Sequence, residues 1–117
     1  MKPAPKATRI SISIDEQQMS LAIPPARPAF VGDDRWSHML AIVATQPTAD
    51  GVTLHVATFP KSDDRKTVTN EHVIKQAKVK QRVTQEQGLT IEPGGSIPRR
   101  LFGQSPPKKV VVRWVTK

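Results

Sequence analysis

The chain has no cysteine and no tyrosine, and no apolar stretch approaches the length of a membrane span. The lack of cysteine excludes a disulfide scaffold and a thiolate metal site. A spanning helix needs roughly 18 consecutive apolar residues, so we expect no membrane partner. The N-terminus also lacks the apolar run of a signal peptide. These absences together predict a cytoplasmic protein.

Aromatic residues are scarce as well, with two tryptophans and three phenylalanines in 117 residues. A sheet that stacks several nucleic-acid bases needs more exposed rings than these. The aromatic-rich strands of the common RNA-recognition sheet are absent too. We interpret Trp36 and Trp114, which alternate with aliphatic residues, as core residues. Any binding to nucleic acid would therefore use the phosphate backbone rather than base stacking.

Acidic residues are outnumbered in only one half of the chain. Residues 1–60 carry five bases and five acids, whereas residues 61–117 carry thirteen bases and five acids. The whole net charge of +8 therefore lies in the second half. Packing does not require such a division, and a basic half is typical of a protein that faces a polyanion or an acidic partner.

Several segments have the two-residue period of half-buried strands. Residues 8–14 place three isoleucines on one face and predict a strand, and residues 19–23 predict its hairpin partner. Residues 36–46 and 52–59 predict a second hairpin, with the Asp50-Gly51 pair supplying the positive φ of its turn. The first strand of this hairpin is apolar on both faces, which indicates a central position. Further strands are expected over residues 89–92 and 109–116.

A helix is predicted from about residue 69 to residue 87. Thr69 or Asn70 would cap it and Gly88 would terminate it. On a helical wheel Lys75, Lys78 and Arg82 then share one face, with Lys80 beside them. The predicted fold class is α+β: one small twisted antiparallel sheet of about five to six strands, open or barrel-like, packed on this helix.

Residues 1–7 are expected to form a flexible N-terminal tail, and residues 8–117 a single domain with a Pro/Gly-rich basic arm at 93–108. A loop of this length in a small domain tends to be functional. Its arginine pair, Arg99-Arg100, could enter a groove of a partner. Alternatively, the neighbouring apolar residues pack the arm against the core and leave the arginines in water.

These basic segments lead to one functional hypothesis and one alternative. The hypothesis is a small non-enzymatic nucleic-acid-binding accessory protein, of the kind found in bacterial, phage or plasmid genomes, which contacts the phosphate backbone with little sequence specificity. The alternative is a protein-binding module or inhibitor that docks its basic face on an acidic or nucleic-acid-processing protein. The predicted binding residues are Lys75, Lys78, Lys80, Arg82, Arg99, Arg100, Lys108 and Lys109.

The chain offers little material for catalysis. His38 and His55 lie on facing strands of the predicted hairpin and could act as an acid and a base, as in some ribonucleases. There is no metal-binding spacing of histidines, no glycine-rich phosphate loop and no nucleophile elbow. We therefore predict no catalytic residue, no cofactor and no metal, and a ribonuclease-like activity is the third hypothesis.

Overall fold

The computed structural model describes residues 7–32, 34–103 and 106–115. Within these ranges the protein is α+β, with two four-stranded antiparallel sheets and one α-helix. Two short 3₁₀ turns follow Asp64 and Pro98. The elements in chain order are β1 (Thr8–Ile14), β2 (Gln17–Ile23), β3 (Ala29–Val31), β4 (His38–Thr45), β5 (Gly51–Pro60), α1 (Asn70–Gln76), β6 (Val79–Thr84), β7 (Leu89–Ile91) and β8 (Val110–Trp114).

The first sheet, here called sheet 1, has the strand order β2-β1-β8-β7, and sheet 2 has the order β3-β4-β5-β6. The two sheets pack face to face around the main apolar core. Alternate residues of the strands supply this core, among them Ile10 and Ile12 of β1 and Leu54 and Val56 of β5. Removal of these side chains from water is the main driving force for joining the two sheets.

Helix α1 packs on the outer face of sheet 2. A second apolar cluster lies between them, and Val73 of α1 is fully buried in it. Strands β4 and β5 are consequently buried on both faces, which explains why their sequences are apolar almost throughout. The predicted hairpin and its central position are confirmed. The other members of the cluster are Met39, Ala41, Val43, Ala57, Phe59 and Val68.

The α+β class is confirmed, but the prediction of a single sheet is wrong. The structure has two separate sheets that do not close into a barrel. After β2 the chain passes through the proline-rich residues 24–28 and enters the other layer as β3. A two-residue period shows which face of a strand is buried but not which sheet the strand joins. The three residues of β3 are also too few to show such a period.

The prediction of a helix over residues 69–87 is wrong as well. Helix α1 ends at Gln76, Ala77 is extended, and residues 79–84 form β6 at the edge of sheet 2. Val79, Gln81 and Val83 lie on the core-facing side of β6, and Lys80, Arg82 and Thr84 lie on the outer side. This period of two, together with two β-branched residues, favours a strand over a helix.

Gly51 has a different role from the predicted one. The left-handed residue near this turn is Gln46, with φ of 51°, and Gly51 does not have a positive φ. A Cβ atom at position 51 would instead collide with the carbonyl oxygen of Val83 on β6. Glycine is therefore required by the close approach of β5 and β6 rather than by the turn.

Parts of three predicted segments lie outside the described residues: positions 1–6 of the predicted tail, Gln104 and Ser105 of the arm, and Thr116 of the last predicted strand. Asp33 and Lys117 lie outside them too. Among the residues that are described, no helix is long and apolar enough to cross a bilayer.

Candidate nucleic-acid interface

The start of α1 is fixed by a reciprocal cap. The hydroxyl of Thr69 accepts a hydrogen bond from the backbone N–H of His72, and Nδ1 of His72 accepts one from the backbone N–H of Thr69, both at 3.2 Å. Val73 then faces the sheet, and Lys75 is exposed in the last turn. A cation near a helix C-terminus is favoured by the partial negative charge there.

Two further lysines, Lys78 and Lys80, follow Lys75 in the chain, at the connection after α1 and on β6. The backbone N–H of Lys78 donates to the carbonyl of Val56 at 2.8 Å and so joins the chain to β5. Lys80 pairs with His55 and projects from the outer face of sheet 2, on which α1 also lies. Alternate residues of a strand share a face and are about 6.6–6.8 Å apart. We call Lys75, Lys78 and Lys80 the basic row.

The basic row has one acid near it, Glu71, which lies one turn before Lys75 on α1; Lys78 and Lys80 have none within five residues of chain. The three side chains are exposed, and none forms an ion pair or side-chain hydrogen bond with another described residue. No acid occurs from His72 to Gln85. Exposed cations without bonded counter-charges produce a positive potential that attracts anions.

Arg82, which follows the row on β6, is occupied by the protein itself. Its Nη1 donates to the carbonyl of Gln46 at 2.6 Å, and its Nη2 donates to the hydroxyl of Thr48 at 2.6 Å. It also donates to the carbonyl of Gly51 at 3.1 Å and to the hydroxyl of Thr53 at 3.3 Å. The guanidinium therefore clamps the turn between β4 and β5.

The predicted helical face of Lys75, Lys78 and Arg82 does not exist. Lys75 belongs to α1, Lys78 to the connection, and Arg82 to β6, where it is half-buried. The alternation of outward-pointing charged residues with valines was the available signal for β6. No signal in the sequence indicated the hydrogen bonds of Arg82, because they depend on a turn 31 to 36 residues earlier.

The described part of the predicted arm is packed against the domain. The hydroxyl of Ser37 lies 3.0 Å from the carbonyl oxygens of both Arg100 and Leu101. Phe102 is buried, and its ring meets that of Trp36 edge to face, with centroids 5.0 Å apart. Arg99 and Arg100 remain exposed. The structure thus shows the alternative in which apolar residues hold the segment and the arginines face water.

Lys108 and Lys109 lie near the same end of the sandwich. Their backbone N–H groups donate to Oδ1 of Asp15, at 2.8 and 3.4 Å. Both lysines line an open cleft of about 620 Å³ together with Asp15, Glu16 and Arg35. Acids and bases alternate in this region, unlike in the basic row. We call Arg99, Arg100, Lys108 and Lys109 the basic end.

The basic row and the basic end are separate groups. Ser37, which contacts the segment of Arg99 and Arg100, directly precedes His38. His38 in turn pairs with Pro60, so the basic end lies near the end of β5. Lys80 instead pairs with His55, five residues earlier on β5. Five strand residues span about 17 Å. The structure therefore divides the eight predicted binding residues into a row without ion pairs, a structural arginine and an end where acids and bases mix.

His38 and His55 do not form a pair. His55 pairs with Val43, which lies five residues, or about 17 Å, from His38 along β4. An odd separation also places the two side chains on opposite faces of sheet 2. Their hypothesised roles as acid and base for one substrate therefore lack the required geometry.

His55 is buried on the outer face of sheet 2, with an exposed fraction of 5%. Its Nε2 lies 2.7 Å from the hydroxyl of Thr45. Burial, and to a smaller extent the ammonium of Lys80, lower the pKa of His55. Within the described ranges, no group of three or more histidine, aspartate or glutamate side chains is placed to hold a metal ion.

Comparison of the chain with protein-family models, with curated proteins and with solved structures gives no match.

Proposed function

We propose that the protein is a non-enzymatic, cytoplasmic nucleic-acid-binding protein that contacts the phosphate backbone through the basic row. The observation that carries the proposal is the presence of three exposed lysines within residues 75–80 that form no ion pair or side-chain hydrogen bond with another described residue. Each phosphate that a lysine neutralises releases condensed counterions, and this release makes the free energy of binding more favourable.

The chemistry of the row favours binding with little sequence specificity. A lysine ammonium is a flexible point charge, whereas bidentate contacts to bases are typical of arginine. None of the five aromatic residues belongs to α1 or β6, so the row has no stacking platform of its own. The expected target is therefore a duplex or single strand of any sequence.

The salt dependence of binding tests this proposal. If the three lysines neutralise three phosphates of a duplex, log K should fall against log salt with a slope of about −2.7. The triple variant Lys75→Glu, Lys78→Glu, Lys80→Glu should bind at least about tenfold more weakly at low salt and lose most of the slope. Fluorescence anisotropy with a labelled generic duplex and a single strand measures both quantities.

A control with the same change of net charge uses the basic end. The variant Arg99→Glu, Arg100→Glu, Lys108→Glu should retain most of the affinity and the slope. Equal losses in both variants would show that net charge rather than the row determines binding. If the wild type does not bind nucleic acid at low salt, the proposal fails, and an acidic protein partner for the same face becomes the better hypothesis.

A further inference from the structure

The outer edge of sheet 1 is formed by β2, and the hydrogen bonds of its neighbour show which groups of β2 are unused. Asp15 donates to the carbonyl of Lys109 and Val115 donates to the carbonyl of Arg9, at 3.2 and 3.0 Å. Odd-numbered residues of β1 thus bond to β8, and even-numbered residues bond to β2. Because Ile10 pairs with Leu21, the odd-numbered residues of β2 are the ones that bond to β1.

The remaining backbone groups of β2 point away from the sheet. The N–H and C=O groups of Gln18, Ser20 and Ala22 face the open edge, and no described strand pairs with them. Natural edges are commonly protected by a charge, a proline or a bulge. The seven residues of β2, Gln17–Ile23, contain no charged residue and no proline, and pair with β1 without a bulge.

We propose that β2 pairs in antiparallel orientation with β2 of a second copy of this chain, on a two-fold axis at Ser20. In this register Ser20 meets Ser20 of the partner subunit, and Gln18 meets Ala22 of the partner subunit. All three are residues whose backbone groups face the edge, so the pairing forms six hydrogen bonds. Two copies of sheet 1 become one continuous eight-stranded sheet.

The side chains on the core-facing side of β2 fit the same register. Met19 is 41% exposed and Leu21 is half-buried at the rim of the core. Across the axis, Met19 lies opposite Leu21 of the partner subunit, in a position where the side chains of two strands approach most closely. Pairing therefore covers an apolar side chain that the single chain leaves in water.

The distribution of charge favours a second copy despite the net charge of +8. The strand orders place β2 and β6 at opposite edges of the sandwich, with β2 beside β3 and β6 beside β7. The uncharged edges meet at the axis, and the basic rows lie far from it. The two-fold axis is perpendicular to the joined sheet, so both copies of α1 lie on the same side of that sheet.

Substitutions at Ser20 test the pairing, because this exposed residue faces its own copy only in the dimer. Sedimentation equilibrium of the wild type should show a monomer–dimer equilibrium in the micromolar range, since a single pair of edge strands forms a small interface. Ser20→Lys and Ser20→Glu should each weaken it about fivefold, because like charges then lie opposite each other. A mixture of the two variants should form a heterodimer at least as tightly as the wild type.

Two further variants separate the interface from general effects. Thr90→Lys adds the same charge to an exposed site on β7 and should dimerise like the wild type. Ser20→Pro removes an N–H group that the monomer does not use, so the fold should persist while the dimer is lost. Circular dichroism checks the fold. A wild type that stays monomeric to about 1 mM, or a Ser20→Lys variant as dimeric as the wild type, would overturn the proposal.

Amide hydrogen exchange identifies the strand directly. The amides of Met19 and Leu21 should be protected at every protein concentration, because they bond to β1. The amides of Gln18, Ser20 and Ala22 should become protected only as the concentration rises. If a dimer forms but these three amides remain unprotected, the copies associate through another surface and the proposal is wrong.

Discussion

Sheet 1 and sheet 2 have the same number of strands and share one core, but they differ in what covers their outer faces and in the charge of their edge strands. Sheet 2 is covered by α1, and one of its two edge strands, β6, carries Lys80 and Arg82. The outer face of sheet 1 carries serines, threonine and two arginines, and its edge strand β2 has no charge. Charge on β6 both protects an edge from pairing and supplies a surface for anions.

The same difference explains how the strands appear in the sequence. Strand β1 alternates isoleucine with serine, because only one of its faces is covered. Strand β5 is buried from Gly51 to Ala57, because sheet 1 covers one face and α1 covers much of the other. A strictly alternating strand thus marks a sheet with a solvent face, and a continuously apolar one marks a middle layer.

The largest expected loss of stability comes from disturbing the contact between β5 and β6. Gly51→Ala places a Cβ atom against the carbonyl of Val83, where only a shift of the backbone of β5 or β6 can relieve the contact. We expect the free energy of unfolding to fall by about 3 kcal/mol, as in severe overpacking. Urea denaturation followed by circular dichroism measures the loss.

Gly32→Ala is the matched control for this prediction. A Cβ atom at position 32 would meet only the Cβ of Met39, at an ordinary contact distance of 3.9 Å. This exposed site should change stability by less than about 0.5 kcal/mol. Equal stability of the two variants would contradict the close approach of β5 to β6.

A smaller effect should distinguish the two cations of β6. Arg82→Ala removes four hydrogen bonds from a half-buried cation and should lower the free energy of unfolding by about 2 kcal/mol. Lys80→Ala should cost less than about 0.5 kcal/mol, because its side chain is exposed and has no partner among the described residues. Thermal or urea unfolding of both variants checks the difference.

For nucleic-acid binding we expect the opposite order, in which a change at Lys80 has a larger effect than a change at Arg82. Lys80→Ala should reduce the steepness of the salt dependence by about one unit, the contribution of a single phosphate contact. Arg82→Lys keeps the charge but not the two-armed donor, so it should lose stability while leaving the slope unchanged. A slope that falls more for Arg82→Lys than for Lys80→Ala would contradict the division made between these residues.

The sequence was sufficient for those elements whose pattern is local. The hairpin of β1 and β2, the central hairpin of β4 and β5 and the core position of Trp36 follow from periodicity, whereas Trp114 is only partly buried against the core. The split into two sheets did not follow, because it depends on where the chain crosses after β2. The short extent of α1 did not follow either. Thr69 correctly indicated where the helix begins, but the sequence of β6 was also compatible with a longer helix.

For the candidate site, the sequence located the charge but not its arrangement. The eight predicted cations are all in the basic half. Only the fold distinguishes Lys80, which has no partner among the described residues, from Arg82, whose guanidinium is hydrogen-bonded to the turn between β4 and β5. Long-range partners such as Thr48 cannot be assigned from spacing alone. The open edge of β2 also becomes visible only when the order of strands in sheet 1 is known.

The smallest expected effect on stability concerns His55, which is buried on the covered face of sheet 2. Burial, and less so Lys80, lower its pKa below the ordinary value of 6.5. The unfolded chain therefore binds the proton first as the pH falls, so the folded state loses stability below about pH 6.5. His55→Gln removes this titration, and its melting temperature should fall less between pH 7 and 5, by roughly a few degrees. Lys80→Gln should remove only the smaller part of the dependence, and an unchanged pH dependence in His55→Gln would show that another group is responsible.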